Sequence, residues 1–190
     1  MLVLASASPR RQELLKAAGI SFEIQPADVP EVPHPDELPR AFAGRMAREK
    51  ALAVAGQRPD DFILGADTIV VVDHRILGKP RDSSDAVRML SLLAGRSHEV
   101  VTAVCLLNSR RKLESRVDVR SETTLVTMDA LSESDILSYV ASGEPMDKAG
   151  AYAIQGMASR WIPRIEGDYA NVVGLPVSLV FRMLKEHGVL

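Results

Sequence analysis

The first nineteen residues, MLVLASASPRRQELLKAAG, set the terms for the fold. The apolar run MLVLA reads as a buried strand. Ser8 is a suitable helix N-cap, and Pro9 suits the first helical position, where its missing N–H would have had no partner anyway. Gly19 suits the stop. The spacing predicts a helix over 9–18 directly after the strand. It also puts Arg10 and Arg11 at the helix end that is already positive. A bound anion would relieve that repulsion. Free backbone N–H groups, the hydroxyls of Ser6 and Ser8 and two forked guanidinium groups would together cradle a phosphate. The alternative is that Ser8 only caps the helix and the arginines are solvated.

Further along, SFEIQPA reads as a short strand. Prolines at 26, 30, 33 and 35, with Pro39 closing the stretch, predict an extended loop. A helix is expected from about Leu38 to Ala55. DFILGADTIVVV reads as a strand broken at Gly65, and Asp73, His74 and Arg75 turn it toward ILGKP. SSDAVRMLSLLAG reads as a helix with serine caps and Gly95 past its end. HEVVTAVCLLN and KLESRVDVRSETTLVTM read as long strands joined by the turn NSRR. LSESDILSYVASG is a helix pattern with Ser132 and Asp135 spaced as a capping box. WIPRIEGDYANVVG reads as a hairpin turning at Glu166–Asp168, and VSLVFRMLKEHG as a closing helix. Strands and helices intermingle without strict alternation, so the expected class is α/β with a mixed sheet.

The chain of 190 residues carries no repeat, which suggests one domain spanning 1–190. A net charge of −2 and an aromatic content of 4% argue against nucleic acid as a partner. No stretch approaches the roughly 20 apolar residues of a membrane span, and the start lacks a signal-peptide pattern. Cys105 is the single cysteine and cannot form an internal disulfide. A reducing compartment, and hence a soluble cytoplasmic protein, is expected, with Cys105 a small core residue. Histidines 34, 74, 98 and 187 have no metal-ligand spacing and read as structural or surface residues. GKP at 78–80 lacks the hydroxyl residue of a Walker loop, and no G-x-G-x-x-G occurs.

Asp67 interrupts an apolar strand. A carboxylate there is costly unless it is paired or metal-bound; otherwise it lies just outside the core and caps a turn. If Asp67 and Glu31 both face the phosphate cradle, they offer hard oxygen ligands for Mg²⁺ or Mn²⁺. Lys50 shares one helix face with Ala43, Ala47 and Val54, so it either snorkels or reaches into a pocket. Lys79, between Gly78 and Pro80, is either aimed by a constrained loop or an ordinary loop lysine.

LASASPRRQELL, REKA, LGADTIVV, LGKPRD, GRSHEVVTAV, EPMDKAGAYAIQG and GDYANVVGLP, in this order, resemble the Maf family of nucleoside triphosphate pyrophosphatases. The resemblance implies an inosine triphosphate pyrophosphatase-like fold: a long mixed sheet flanked by helices, in two lobes with a central cleft. It implies hydrolysis of a nucleoside triphosphate to the monophosphate and pyrophosphate, with a divalent cation (Mg, Mn or Co). It also implies a link to arrest of septum formation, the removal of non-standard nucleotides, and a homodimer. Ser8, Arg10 and Arg11 match the phosphate-binding motif. Glu31, Lys50, Asp67 and Lys79 match the acidic and basic residues of the catalytic cleft, Asp67 at the position of the proton acceptor. On the residues themselves, Asp67 is either a metal ligand, with Glu31, that orients the attacking water, or its general base. Arg10, Thr68 and Gln155 match the positions that separate substrates, and the set resembles the dTTP/UTP branch. The alternatives are 7-methyl-GTP, a broader range of modified nucleotides, or a nucleotide-binding regulator of septum formation without turnover.

Overall fold

β1 (Leu2–Leu4) is apolar throughout because it pairs in parallel with a strand on each side: β2 (Glu23–Ile24) and β3 (Phe62–Val72). Strands enclosed in this way read as continuous apolar runs rather than alternating ones. The computed structural model describes residues 1–110 and 117–190. The last residue of the expected NSRR turn and the first residues of the strand expected after it, 111–116, lie outside the described residues. β3 folds back on β4 (Arg75–Leu77), with Val72 opposite Arg75. The two turn residues, Asp73 and His74, both take positive φ, 48° and 61°. That geometry matches the twist of the flanking strands in a two-residue hairpin. β5 (Ser97–Asn108), β6 (Val117–Thr127) and β7 (Arg164–Glu166) complete a seven-stranded mixed sheet in the order β2-β1-β3-β5-β6-β7, with β4 on β3.

Six helices accompany the described strands: α1 (Pro9–Ala17), α2 (Pro39–Ala55), α3 (Ser83–Leu93), α4 (Glu133–Ala141), α5 (Tyr169–Val173) and α6 (Val177–Glu186). The capping box of α4 forms as expected: Ser132 Oγ accepts from the Asp135 N–H, and the Asp135 carboxylate accepts from the Ser132 N–H.

The chain divides into two compact units. The first comprises Met1–Thr68, Thr102–Glu122 and Gly174–Leu190; the second comprises Ile69–Val101 and Thr123–Val173. Leu4, Leu15, Leu64, Leu106, Leu175 and Met183 are buried together in the first. Val70, Leu90, Leu93, Met128, Tyr139 and Tyr152 are buried together in the second.

Four local expectations are corrected. β3 runs unbroken through Gly65. A Cβ there would lie 2.1 Å from the Ala47 carbonyl oxygen and 2.9 Å from the Ala51 nitrogen, so the glycine admits α2 against the strand rather than breaking it. Asp82, not a serine, caps α3, its carboxylate accepting from the Asp85 N–H at 2.8 Å. Ser8 occupies the N-cap position of α1, but its side chain makes no capping bond; its N–H donates to Ser6 Oγ instead. The hairpin expected across 161–174 is absent. β7 ends at Glu166, Gly167 turns the chain at φ 128°, and the Asp168 carboxylate accepts from the Ala170 N–H at 2.7 Å to start α5.

Candidate active site

Asp67, on the part of β3 that lies in the first unit, and Lys50, on α2 of the same unit, are brought together by the close approach at Gly65. Asp67 is 6% exposed and Lys50 is 8% exposed. Lys50 Nζ donates to Asp67 Oδ1 at 2.6 Å and to Glu31 Oε1 at 2.7 Å. Of the two sequence readings of Lys50, the lysine therefore reaches inward. Burial pushes the Asp67 carboxyl above the ordinary aspartate range. Lys50 and Arg11 oppose that shift, while Glu31 adds to it.

Glu31 lies on the proline-rich loop, and α2 holds that loop in place. Arg45 donates through Nε and Nη2 to the two oxygens of Glu37, both at 2.7 Å, and through Nη2 to the Val32 carbonyl at 3.0 Å. The Glu37 carboxylate also accepts from the His34 N–H at 3.0 Å. These bonds, the Arg45 fork first, hold Glu37 down at about 2. Sequence reasoning missed this clamp. Its one legible trace was the i,i+4 spacing of Arg45 and Glu49, which do pair at 3.1 Å.

Arg11 is committed to its own unit. Its Nε donates to the Gly174 carbonyl at 2.8 Å, Nη1 to Ser6 Oγ at 3.1 Å and Nη2 to Thr68 Oγ1 at 3.1 Å. Burial pulls its guanidinium below the ordinary arginine value, against the attraction of Asp67 and Glu31. Thr68 Oγ1 also meets Thr102 Oγ1 at 2.9 Å and donates to the Gly174 carbonyl at 3.3 Å. With Thr102 as donor, the Thr68 hydroxyl uses its hydrogen and both lone pairs within the protein. Thr102, fully buried in the apolar run VVTAVCLL of β5, was not foreseen; a hydroxyl inside that run was its only signal.

Ser8 and Arg10 are half-buried at the start of α1. Lys79 and Gln155 belong to the second unit, and both are exposed there. Lys79 follows Gly78, whose carbonyl accepts from the Gly150 N–H at 3.0 Å. Cys105 is fully buried, and burial pushes its thiol up to about 12, so it is a core residue rather than a nucleophile. His98 is buried against Tyr152, Nε2 to Oη 2.7 Å, in a structural role.

Two carboxylates sharing one ammonium show that the position holds positive charge well. Among the described residues no cluster of three or more His, Cys, Asp or Glu forms a metal cage. The pair fits a hard cation such as Mg²⁺ or Mn²⁺, which takes one or two carboxylates and completes its shell with water and phosphate oxygens.

The buried Asp67–Lys50 pair and the committed Arg11 thus lie in one unit with the β1–α1 junction, whose Ser6 hydroxyl accepts from Arg11. The chain belongs to the Maf family: the family's profile, described as Maf-like protein, matches residues 1–187. It is 54% identical over 189 residues to the dTTP/UTP pyrophosphatase of Koribacter versatilis, covering 100% of this chain and 95% of that one. It is 53% identical over 185 residues to the dTTP/UTP pyrophosphatase of Syntrophomonas wolfei, covering 97% and 96%. A solved nucleoside-triphosphatase / dITP/XTP pyrophosphatase from Mycobacterium abscessus is similar at 17% identity and a TM-score of 0.39. That likeness covers 67% of this chain and 72% of that one. No helix among the described residues is long and apolar enough to cross a membrane.

Proposed function

We propose that this protein hydrolyses dTTP and UTP to the monophosphate and pyrophosphate. The observation that carries the reading is the cluster in which the buried Lys50 Nζ lies 2.6 Å from the buried Asp67 and 2.7 Å from the exposed Glu31. Full-length likeness to relatives bearing the name dTTP/UTP pyrophosphatase supports the substrate class.

Water attacks the α-phosphorus, the bond from that phosphorus to the bridging oxygen breaks, and pyrophosphate leaves. Catalysis of such a step rests on positioning and charge neutralisation. Arg10 neutralises phosphate charge, with the α1 N-terminus adding its N–H groups; the part given to Lys79 rests on the family motif alone. Arg11 keeps its charge near the site while holding Thr68 and Gly174. Lys50 fixes the direction of both carboxylates. A divalent cation held by Asp67 and Glu31 would neutralise phosphoryl oxygens and lower the pKa of a bound water. Asp67 then acts on the attacking water, as its base or as the carboxylate that orients it. Gln155 reads the pyrimidine edge with an amide that both donates and accepts.

The test is pyrophosphate release from dTTP, UTP, CTP, GTP and 7-methyl-GTP with Mg²⁺ or Mn²⁺, alongside Asp67→Asn. Release is expected from dTTP and UTP, with kcat lower by about 10²–10⁴-fold in the variant. Near-normal turnover by Asp67→Asn at saturating metal would overturn the mechanism. Preference for 7-methyl-GTP would overturn the substrate, and binding without release from any nucleotide would point to a regulator.

A further inference from the structure

We propose that Glu144 is the positioning residue of the base-reading turn: one carboxylate fastens both ends of the segment 153–157 and thereby fixes where Gln155 is presented. The proposal rests on the reading of Gln155 as the residue that meets the base.

Glu144 stands at the start of a 3₁₀ turn, Glu144–Asp147, eleven residues before Gln155 in sequence. Its Oε1 accepts from Tyr139 Oη at 2.7 Å. Its two oxygens share the Met157 N–H at 3.1 and 3.2 Å. Tyr139 Oη in turn accepts from the buried Ala153 N–H at 3.1 Å. The carboxylate thus holds residue 157 directly and residue 153 through one phenol. Between those anchors the Gly156 N–H closes the turn on the Ala153 carbonyl at 3.1 Å.

Gly156 belongs to the same device. A Cβ at that position would lie 2.2 Å from Glu144 Oε1, so only glycine lets the carboxylate sit beneath the turn. The phenol is well placed as a strut. Tyr139 is fully buried and packs edge-on against Trp161 at 5.6 Å between ring centroids. Burial, with the neighbouring carboxylate, raises the phenol pKa above its ordinary value, so it remains the donor to Glu144. Within the fastened segment, Ala153 is buried, Ile154 and Met157 are half-buried, and Gly156 has no side chain; Gln155 is the exposed residue. A hydrogen-bonding reader needs placement to about half an ångström, and anchored backbone on both sides provides it.

The test measures kcat and KM for dTTP, UTP, CTP and GTP in the full chain, with Tm as a check on folding. Tyr139→Phe cuts the tie to Ala153, and Glu144→Ala cuts both ties. Each is expected to lower the preference for dTTP over CTP about tenfold, mainly through KM. Glu144→Gln should retain most of the preference, because a single amide oxygen at the Oε1 position can accept from both Tyr139 and Met157. Glu144→Ala should change the preference no further in a Gln155→Ala background, which a general packing defect would not predict. If Gln155→Ala loses the preference while Glu144→Ala and Tyr139→Phe keep it, the strut is overturned alone. Additive losses in the double variant overturn it as well. If Gln155→Ala keeps the preference, Gln155 does not read the base, and the strut falls with that reading.

Discussion

Asp67 shows how one residue can be both expensive and useful. Its burial favours the protonated form, while Lys50 and Arg11 favour the charged form. Desolvation is the larger effect, so the carboxyl titrates above the ~3.9 of a free aspartate. The ionised form is the one that can hold a cation or activate water. Activity should therefore fall as pH drops through that raised pKa, giving an acid limb higher than an ordinary aspartate would set. Lys50→Met removes the strongest opposing attraction. It should move the Asp67 titration further up, read by carboxyl-carbon NMR, and lower kcat as well. A downward shift would mean that Lys50 does not face the charge. Thr68 carries the complementary lesson: sequence likeness marks it as a substrate-separating position, yet its hydroxyl is filled by Arg11, Thr102 and Gly174. A change at Thr68 would therefore be felt first by Arg11 and the backbone at Gly174.

At the scale of elements, α2 and β3 are matched by a missing side chain. With an alanine at Gly65, the new Cβ would meet backbone at 2.1 Å, which no rotamer change relieves, so α2 must shift. Gly65→Ala is expected to cost about 3 kcal/mol or more, a drop in Tm of about 6–12 °C, and to lower kcat because Lys50 moves with the helix. A calorimetric scan with unchanged Tm would contradict the packing. The same glycine marks where the sequence was hard to read. Glycine inside an apolar run signals a break or a close approach, and only the partner element decides which. Period and punctuation located α1, α2, α4 and α6 because their apolar faces and stops are local. The stretch 169–173 was misread because α5 is started by Asp168, itself held by Thr124: Oγ1 accepts from the Asp168 N–H at 3.0 Å and donates to its carbonyl at 2.9 Å. That bond spans 44 residues, and no local window contains it. Within the site, Asp67 and Lys50 were legible because a charge on an apolar stripe demands a partner. Arg45, Glu37, Thr102 and Glu144 were not, because no apolar stripe or helix spacing names the partner each one bonds: Arg45 and Glu37 are 8 residues apart, Thr102 and Thr68 34, Glu144 and Met157 13.

At the scale of the whole molecule, acid stability is set by groups that titrate in separate windows. His98 is 2% exposed, and burial pushes its pKa down to about 4 from 6.5. Below pH 6.5 the unfolded chain takes a proton that the native state refuses. Stability is thus lost as pH falls from about 6.5 to about 4 and levels off below. The size of that loss is about 3 kcal/mol. Asp85 and Glu37, each held at about 2 by arginine, keep their contributions until pH falls below about 4 and lose them toward 2. Denaturant unfolding followed by Trp161 fluorescence should show a first decline between pH 6.5 and 4 that His98→Gln lacks. A variant that declines identically in that window would move the cause elsewhere. Cys105 has a practical consequence of a different kind. It is the chain's one sulfhydryl, sealed inside β5 with its ionisation pushed to about 12, so maleimide dyes will pass it by at neutral pH. Any cysteine placed on the surface becomes a unique attachment point without first deleting the native one, and a fluorophore at the exposed position 155 would report directly on whether a nucleotide arrives there, as proposed.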